Sequence, residues 1–178
     1  LQEAAFQAYQ AGFKLNERTD WKAELWIAAK QLEMEMSCDM FVADRCMIDV
    51  LAYSHYAFGN DKPVMNVLYR MAEPQIRTYD LIIYLPAGQF PIEDDGYRSV
   101  SLEFQAKIDE LIRYVLKKTK AKYVRITGTP QERFKKIVKI LESFKRFIDS
   151  TVWGITPSTL EITKRTTPAA ATPRPLIW

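Results

Sequence analysis

Three stretches of the chain gather side chains that can act on phosphate groups. Asp44–Arg45 directly follows the apolar run Met40–Phe41–Val42–Ala43. A carboxylate there can hold a metal-bound water or accept a proton from a hydroxyl, and the neighbouring guanidinium can take a phosphate on two N–H groups. The same pair can instead be an ion pair that caps the next helix, and spacing alone does not separate the two. Glu93–Asp94–Asp95–Gly96–Tyr97–Arg98 packs three acids, a glycine and an arginine into one loop. It reads either as a surface turn or as a mobile lid that brings Arg98 onto transferring phosphates. Thr127–Gly128–Thr129–Pro130 can lie along a nucleotide base, or simply start a well-capped helix.

The elements around these stretches follow from apolar periodicity. Gln2–Ala11 suits a short helix ended by Gly12. Glu17–Met36 carries Trp21, Leu25, Ala28, Ala29, Leu32 and Met36 at three- and four-residue steps, which predicts one helix with that stripe inward. Helical spacing returns over Met47–Tyr56 and over Val64–Arg77, where Pro74 kinks or ends the helix. Ser101 is placed to cap a helix with Leu102, Ile108, Leu111, Ile112, Val115 and Leu116 inward, and Pro130 opens a last helix reaching about Ser150. Met40–Ala43, Leu81–Leu85 and Tyr123–Ile126 are short runs that suit strands buried on both faces. Helix and strand alternate, so an α/β fold is expected, with these three strands as parallel neighbours in one sheet and helices on both faces. Residues 1–150 form that domain, and residues 151–178 a Pro/Thr-rich tail without regular structure, whose apolar end Leu176–Ile177–Trp178 can dock on the domain or on a partner.

Composition narrows the function classes. The 178 residues are 48% hydrophobic and 26% charged, which suits one ordinary globular domain. A net charge of +3 is too mild to signal nucleic-acid binding, although basic residues cluster over 117–122 and 135–146. Cys38 and Cys46 read as small buried side chains in a reducing, cytoplasmic setting. A single histidine, His55, excludes a multi-histidine metal site. No apolar run approaches the roughly 18 residues that suggest a bilayer span, so no membrane is expected as a partner.

In such a sheet, ligands bind beyond the carboxyl ends of the strands. That rule selects Asp44–Arg45, the Pro86–Arg98 loop and Thr127–Arg133.

The order of these pieces resembles the P-loop nucleotide-kinase-like NTPases, typified by the ribosylnicotinamide kinase domain of the bifunctional NAD-biosynthesis regulator, and the related AAA-type ATPases. The resemblance runs over residues 17–141. It is carried by Phe41–Arg45, Ile48–Asp49 with Ala52–Tyr53, Tyr79–Pro86, Asp94–Arg98, and Thr127–Pro130 with Glu132–Arg133. It implies a kinase that binds ATP or GTP with Mg²⁺ and phosphorylates a nucleoside, nucleotide or similar hydroxyl compound. It implies Asp44 as the acid beside Mg²⁺ or the acceptor hydroxyl, Arg45 and, by a loose alignment, Glu3 as substrate contacts, Arg98 as the lid arginine, and Thr129 and Arg133 as the rim of the base site.

These residues contain no Gly-x-x-x-x-Gly-Lys-Ser/Thr run, the loop whose amides cradle phosphates in that family. The resemblance places that loop, and the fold's first strand, ahead of Leu1. The alternative is a non-catalytic, regulatory NTP-binding module that holds a protein partner or another copy of itself.

Overall fold

The structure is a computed structural model that describes residues 1–91, 94, 96–152 and 176–177. Its helices are α1 (Ala4–Gln10), α2 (Trp21–Met36), α3 (Met47–Phe58), α4 (Lys62–Ile76), α5 (Leu102–Thr119) and α6 (Pro130–Val152). Its strands are β1 (Val42–Ala43), β2 (Leu81–Tyr84), β3 (Val124–Arg125) and β4 (Leu176–Ile177). The chain divides into two compact units. The first takes residues 1–125 together with β4, and the second begins at Ile126 and holds α6.

The sheet is small, parallel and ordered β1-β4-β2-β3. β1 and β2 are therefore not neighbours. Leu176 pairs with both Val42 and Leu81, and Ile177 with both Ala43 and Ile82. On the other side of β2, Ile83 pairs with Val124 and Tyr84 with Arg125. The expected burial on both faces holds only for β2, whose four residues are all buried. Val42 in β1 is 41% exposed, and both residues of β3 are exposed. Strands of two residues bury too little side chain to be covered on both faces. The tail also departs from expectation at its end, where β4 is regular structure. The rest of the Pro/Thr run, with Ile92, Glu93 and Asp95, lies outside the described residues.

Local chemistry sets most helix ends. Gly12, at φ +87°, turns the chain after α1. Ser101 Oγ accepts from Phe104 N at the start of α5. Thr129 and Glu132 form a reciprocal pair at the start of α6: Glu132 N donates to Thr129 Oγ1 and Thr129 N to Glu132 Oε2. Asp20 accepts from Lys22 N and Ala23 N, so α2 begins at Trp21, and Asn16–Arg18 form a separate 3₁₀ turn. Pro74 does not end α4, which continues to Ile76.

α2 turns a different face inward from the one its apolar stripe suggests. Trp21 is 51% and Met36 77% exposed, whereas Glu24, Gln31 and Glu35 are buried with Ala23, Ile27 and Ala28. Buried carboxyl and amide groups need partners. Gln31 Nε2 donates to Glu35 Oε1 at 2.7 Å, Tyr79 Oη donates to Glu35 Oε2 at 2.8 Å, and Met47 N donates to Tyr79 Oη at 3.2 Å. This chain of bonds ties α2 to the start of α3 and to the approach to β2. Cys46 is buried as expected, but Cys38 is exposed. Among the described residues, no helix is long and apolar enough to cross a membrane.

Candidate active site

The site begins where β1 stops. Arg45 adopts φ +70°, the left-handed region, which costs an L-residue roughly 1 kcal/mol or more. Several contacts hold it there. Arg45 Nε meets Glu3 Oε1 at 2.6 Å, its NH1 donates to Tyr53 Oη at 2.9 Å, and its carbonyl accepts from Gln31 Nε2 at 3.3 Å. The guanidinium lies 5.2 Å from the centre of the Tyr53 ring.

Glu3, immediately before α1, is buried and has both oxygens engaged. Besides Arg45 on Oε1, its Oε2 accepts from Arg98 NH2 at 3.0 Å and from Tyr97 Oη at 2.8 Å. Burial raises the pKa of this carboxyl, but Arg45, Tyr97 and Arg98 together outweigh burial and leave it below the usual range. Arg98 stacks 5.3 Å from the Tyr97 ring centre and receives Tyr97 as an acceptor on its Nε. The loop carrying both is pinned from below, because Asn16 Nδ2 donates to Tyr97 O at 2.5 Å and Tyr97 packs against Phe6 and Tyr9.

These groups line a pocket between the start of α1, the 3₁₀ turn, α2 and α3. Its wall includes Asn16, Glu24, Asp49, Tyr53 and the Glu3–Arg45–Arg98 cluster, with Ala4, Leu15, Ile27 and Val50 as apolar surface. Asp49 Oδ2 accepts from Cys46 N at the start of α3. Burial pushes the Asp49 carboxyl up, against the pull of Arg45. Burial also pushes the Glu24 carboxyl up to about 7, although Thr19 Oγ1 donates to its Oε1 at 2.6 Å.

A second, more open groove runs along the carboxyl end of the sheet. Asp44, Asp49, Ile83, Tyr84 and Leu85 line it, and Arg45 and Arg98 belong to both depressions. Asp44 is exposed there. The ion-pair and helix-cap alternative for Asp44–Arg45 does not hold. Arg45 pairs with Glu3, and α3 is capped at Cys46 with Asp49 closing the box. Asp44 is left as an exposed carboxylate on the lining of the groove. One hard-oxygen donor of this kind fits Mg²⁺, which keeps several waters and takes its remaining ligands from phosphates. Among the described residues there is no cluster of three or more metal-ligating side chains.

Glu3, Arg45 and Arg98, distant in sequence, thus meet in one cluster, with Asp44 at its edge. Thr129 and Arg133 belong to the second compact unit. There they serve the start of α6, where Arg133 Nε donates to Gly128 O at 3.0 Å. Sequence reasoning missed Glu24 and Asn16. The signal for Glu24 was present, since Glu24, Gln31 and Glu35 repeat on one helical face of α2 among small and aliphatic residues.

No curated protein and no solved structure matches the chain. A family model described as an AAA domain matches residues 1–133, which span every side chain of the pocket and the groove. On that match the chain belongs to the AAA domain family, and its chemistry is of the nucleotide-binding, NTPase-like kind.

Proposed function

We propose that the protein is a phosphotransferase that moves a phosphoryl group from ATP or GTP to a nucleoside, nucleotide or similar small hydroxyl compound, as in the ribosylnicotinamide-kinase branch of the P-loop NTPases. The observation that carries this reading is the buried Glu3 carboxylate of the pocket wall bridging Arg45 and Arg98, the two guanidiniums that also line the sheet-edge groove. An NTPase that only hydrolyses its nucleotide has no need of a second, largely apolar depression beside the transfer point. A small-molecule acceptor does.

In this reading the acceptor lies in the pocket and the nucleotide phosphates lie along the groove. Asp44 accepts the proton of the attacking hydroxyl or holds Mg²⁺ through its carboxylate. When bound, Mg²⁺ offsets phosphate charge. Arg98, held by Glu3 and Tyr97, meets the charge that grows on the transferring group. Arg45 is the deeper of the two guanidiniums and fixes the acceptor side. Such transfer depends on positioning and charge more than on covalent chemistry.

The test is incubation of the protein with γ-labelled ATP or GTP and a panel of nucleosides, followed by chromatography of the labelled products. A labelled monophosphate ester supports the reading. Nucleotide binding without transfer to any acceptor would favour the regulatory module.

A further inference from the structure

β4 has two residues, yet it stands in the middle of the sheet. β1 and β2 do not pair with each other. Leu176 lies between Val42 and Leu81, and Ile177 between Ala43 and Ile82, in parallel on both sides. Neighbouring strands sit about 4.8 Å apart, so β4 holds β1 and β2 roughly 9–10 Å from each other. Ala43, Leu81 and Ile82 are buried. With the slot empty, backbone N–H and C=O groups on the facing edges would lose their partners away from water, which is costly. The strand that fills the slot comes from far along the chain, beyond residues 153–175. Pro175 has no N–H, so it denies the ladder a donor one residue before Leu176. So short a ladder, at about 1 kcal/mol net per hydrogen bond, can open without the rest of the fold.

The groove at the carboxyl end of the sheet takes its lining from both sides of this slot, with Asp44 after β1 and Ile83 and Leu85 on and after β2. Because β1 and β2 are not neighbours, the groove crosses the line of β4. Ile177 shares a row with Ala43 and Ile82, and the next row holds Asp44 and Ile83, which both line the groove. We propose that the slot is a peptide-binding site whose ligand is the chain's own segment Arg174–Trp178, and that seating of this segment completes the floor of the groove. The first part stands on the topology, and the second rests on the reading above, in which the groove holds the nucleotide phosphates. The ligand chemistry is that of an added strand: a short extended segment, parallel to both neighbours, bound through its backbone and uncharged at its paired residues. Once seated, it fixes the separation of Asp44 from Ile83 across the groove. Nucleotide binding and strand seating then strengthen each other by the same factor.

Fluorescence anisotropy of a labelled Arg-Pro-Leu-Ile-Trp peptide, the sequence of residues 174–178, tests the slot. The full chain carrying Ile177→Pro, which removes an N–H from the strand, should bind the peptide about tenfold or more tighter than wild type, whose own segment fills the slot. Failure of the peptide to bind the variant, or equal binding to both chains, overturns the slot. Saturating ATP with Mg²⁺ should tighten the peptide's binding to the variant about tenfold, within the usual range of coupling between sites. ATP that binds without changing the peptide's affinity overturns the floor and leaves the slot and the nucleotide reading standing. A wild-type chain that binds neither ATP nor GTP overturns the nucleotide reading, and the floor with it, while the peptide still decides the slot. Should Ile177→Pro not fold, amide hydrogen exchange of the wild type decides. Faster exchange at Leu176 and Ile177 than at Ile82 and Ile83 marks a separable strand, and slower exchange there with ATP bound supports the floor. Equal exchange at all four refutes a separable ligand.

Discussion

Arg45 and Arg98 are held by opposite oxygens of one carboxylate, Glu3, at 2.6 and 3.0 Å. The bracket joins the chain before α1 to the end of β1 and to the loop ahead of α5. Its charge is uneven, with two guanidiniums on one acid. Glu3→Ala should therefore leave two cations facing each other. For a fully buried pair, removal of one partner costs about 3–5 kcal/mol. Arg98 is half-exposed, so a smaller loss of about 2 kcal/mol is expected here. Urea denaturation of Glu3→Ala against wild type measures it. A change within experimental error would mean that the bracket contributes nothing to stability.

Arg98 should matter to turnover more than to stability. Its side chain is 48% exposed, so loss of its ion pair should cost less than about 1 kcal/mol. If it meets charge developing on the transferring phosphoryl group, Arg98→Ala should lower kcat about 10²-fold with little change in nucleotide affinity. Arg98→Lys keeps the charge but not the planar fork, and should recover only part of the loss. Steady-state kinetics with separate nucleotide-binding measurements decide this, and an unchanged kcat would remove Arg98 from the transfer step.

How far the sequence shows this site depends on the range of the interactions involved. Ser101, and Thr129 with Pro130, announce their helices because a cap is settled within three residues. β2 is legible from its four consecutive apolar residues. The order β1-β4-β2 is not legible, because it depends on pairing Val42 and Leu81 with Leu176, far along the chain. Nor is the Glu3 bracket, which joins positions 95 apart. α2 misleads for another reason. Its apolar stripe is real, but tertiary packing buries the face with Glu24, Gln31 and Glu35, where polar partners outweigh apolar area.

Glu24 also predicts a pH dependence of folding. Burial raises its carboxyl from 4.5 to about 7. Between those values the native state holds a proton that the unfolded chain has released, so stability falls as pH rises through this window. The full loss, present above pH 7, is roughly 3 kcal/mol at about 1.4 kcal/mol per pKa unit. Glu35 and Asp49, raised by burial as well, act in the same direction, so a difference between variants isolates Glu24. Glu24→Gln should lose less stability than wild type between pH 5 and 7.5. Parallel curves from thermal melts would show that Glu24 titrates normally.

Asp44 carries the sharpest prediction. It follows β1, lines the sheet-edge groove with Arg98, and caps nothing, since Cys46 and Asp49 start α3. Asp44→Asn should therefore leave stability within about 0.5 kcal/mol of wild type, as expected for an exposed position outside a cap. Loss of a helix cap would instead cost about 1 kcal/mol. The substitution keeps the shape but removes both the proton acceptor and the anionic oxygen for Mg²⁺. Phosphoryl transfer in a single turnover should then fall by about 10²-fold or more, the range of general-base effects, while nucleotide affinity stays near wild type. If Asp44 serves only through Mg²⁺, raising the metal concentration should restore part of the rate. If it takes the proton, no metal concentration will. Transfer at the wild-type rate by Asp44→Asn would leave the groove without its acid, and the function would then be the sensing of a nucleotide rather than its use.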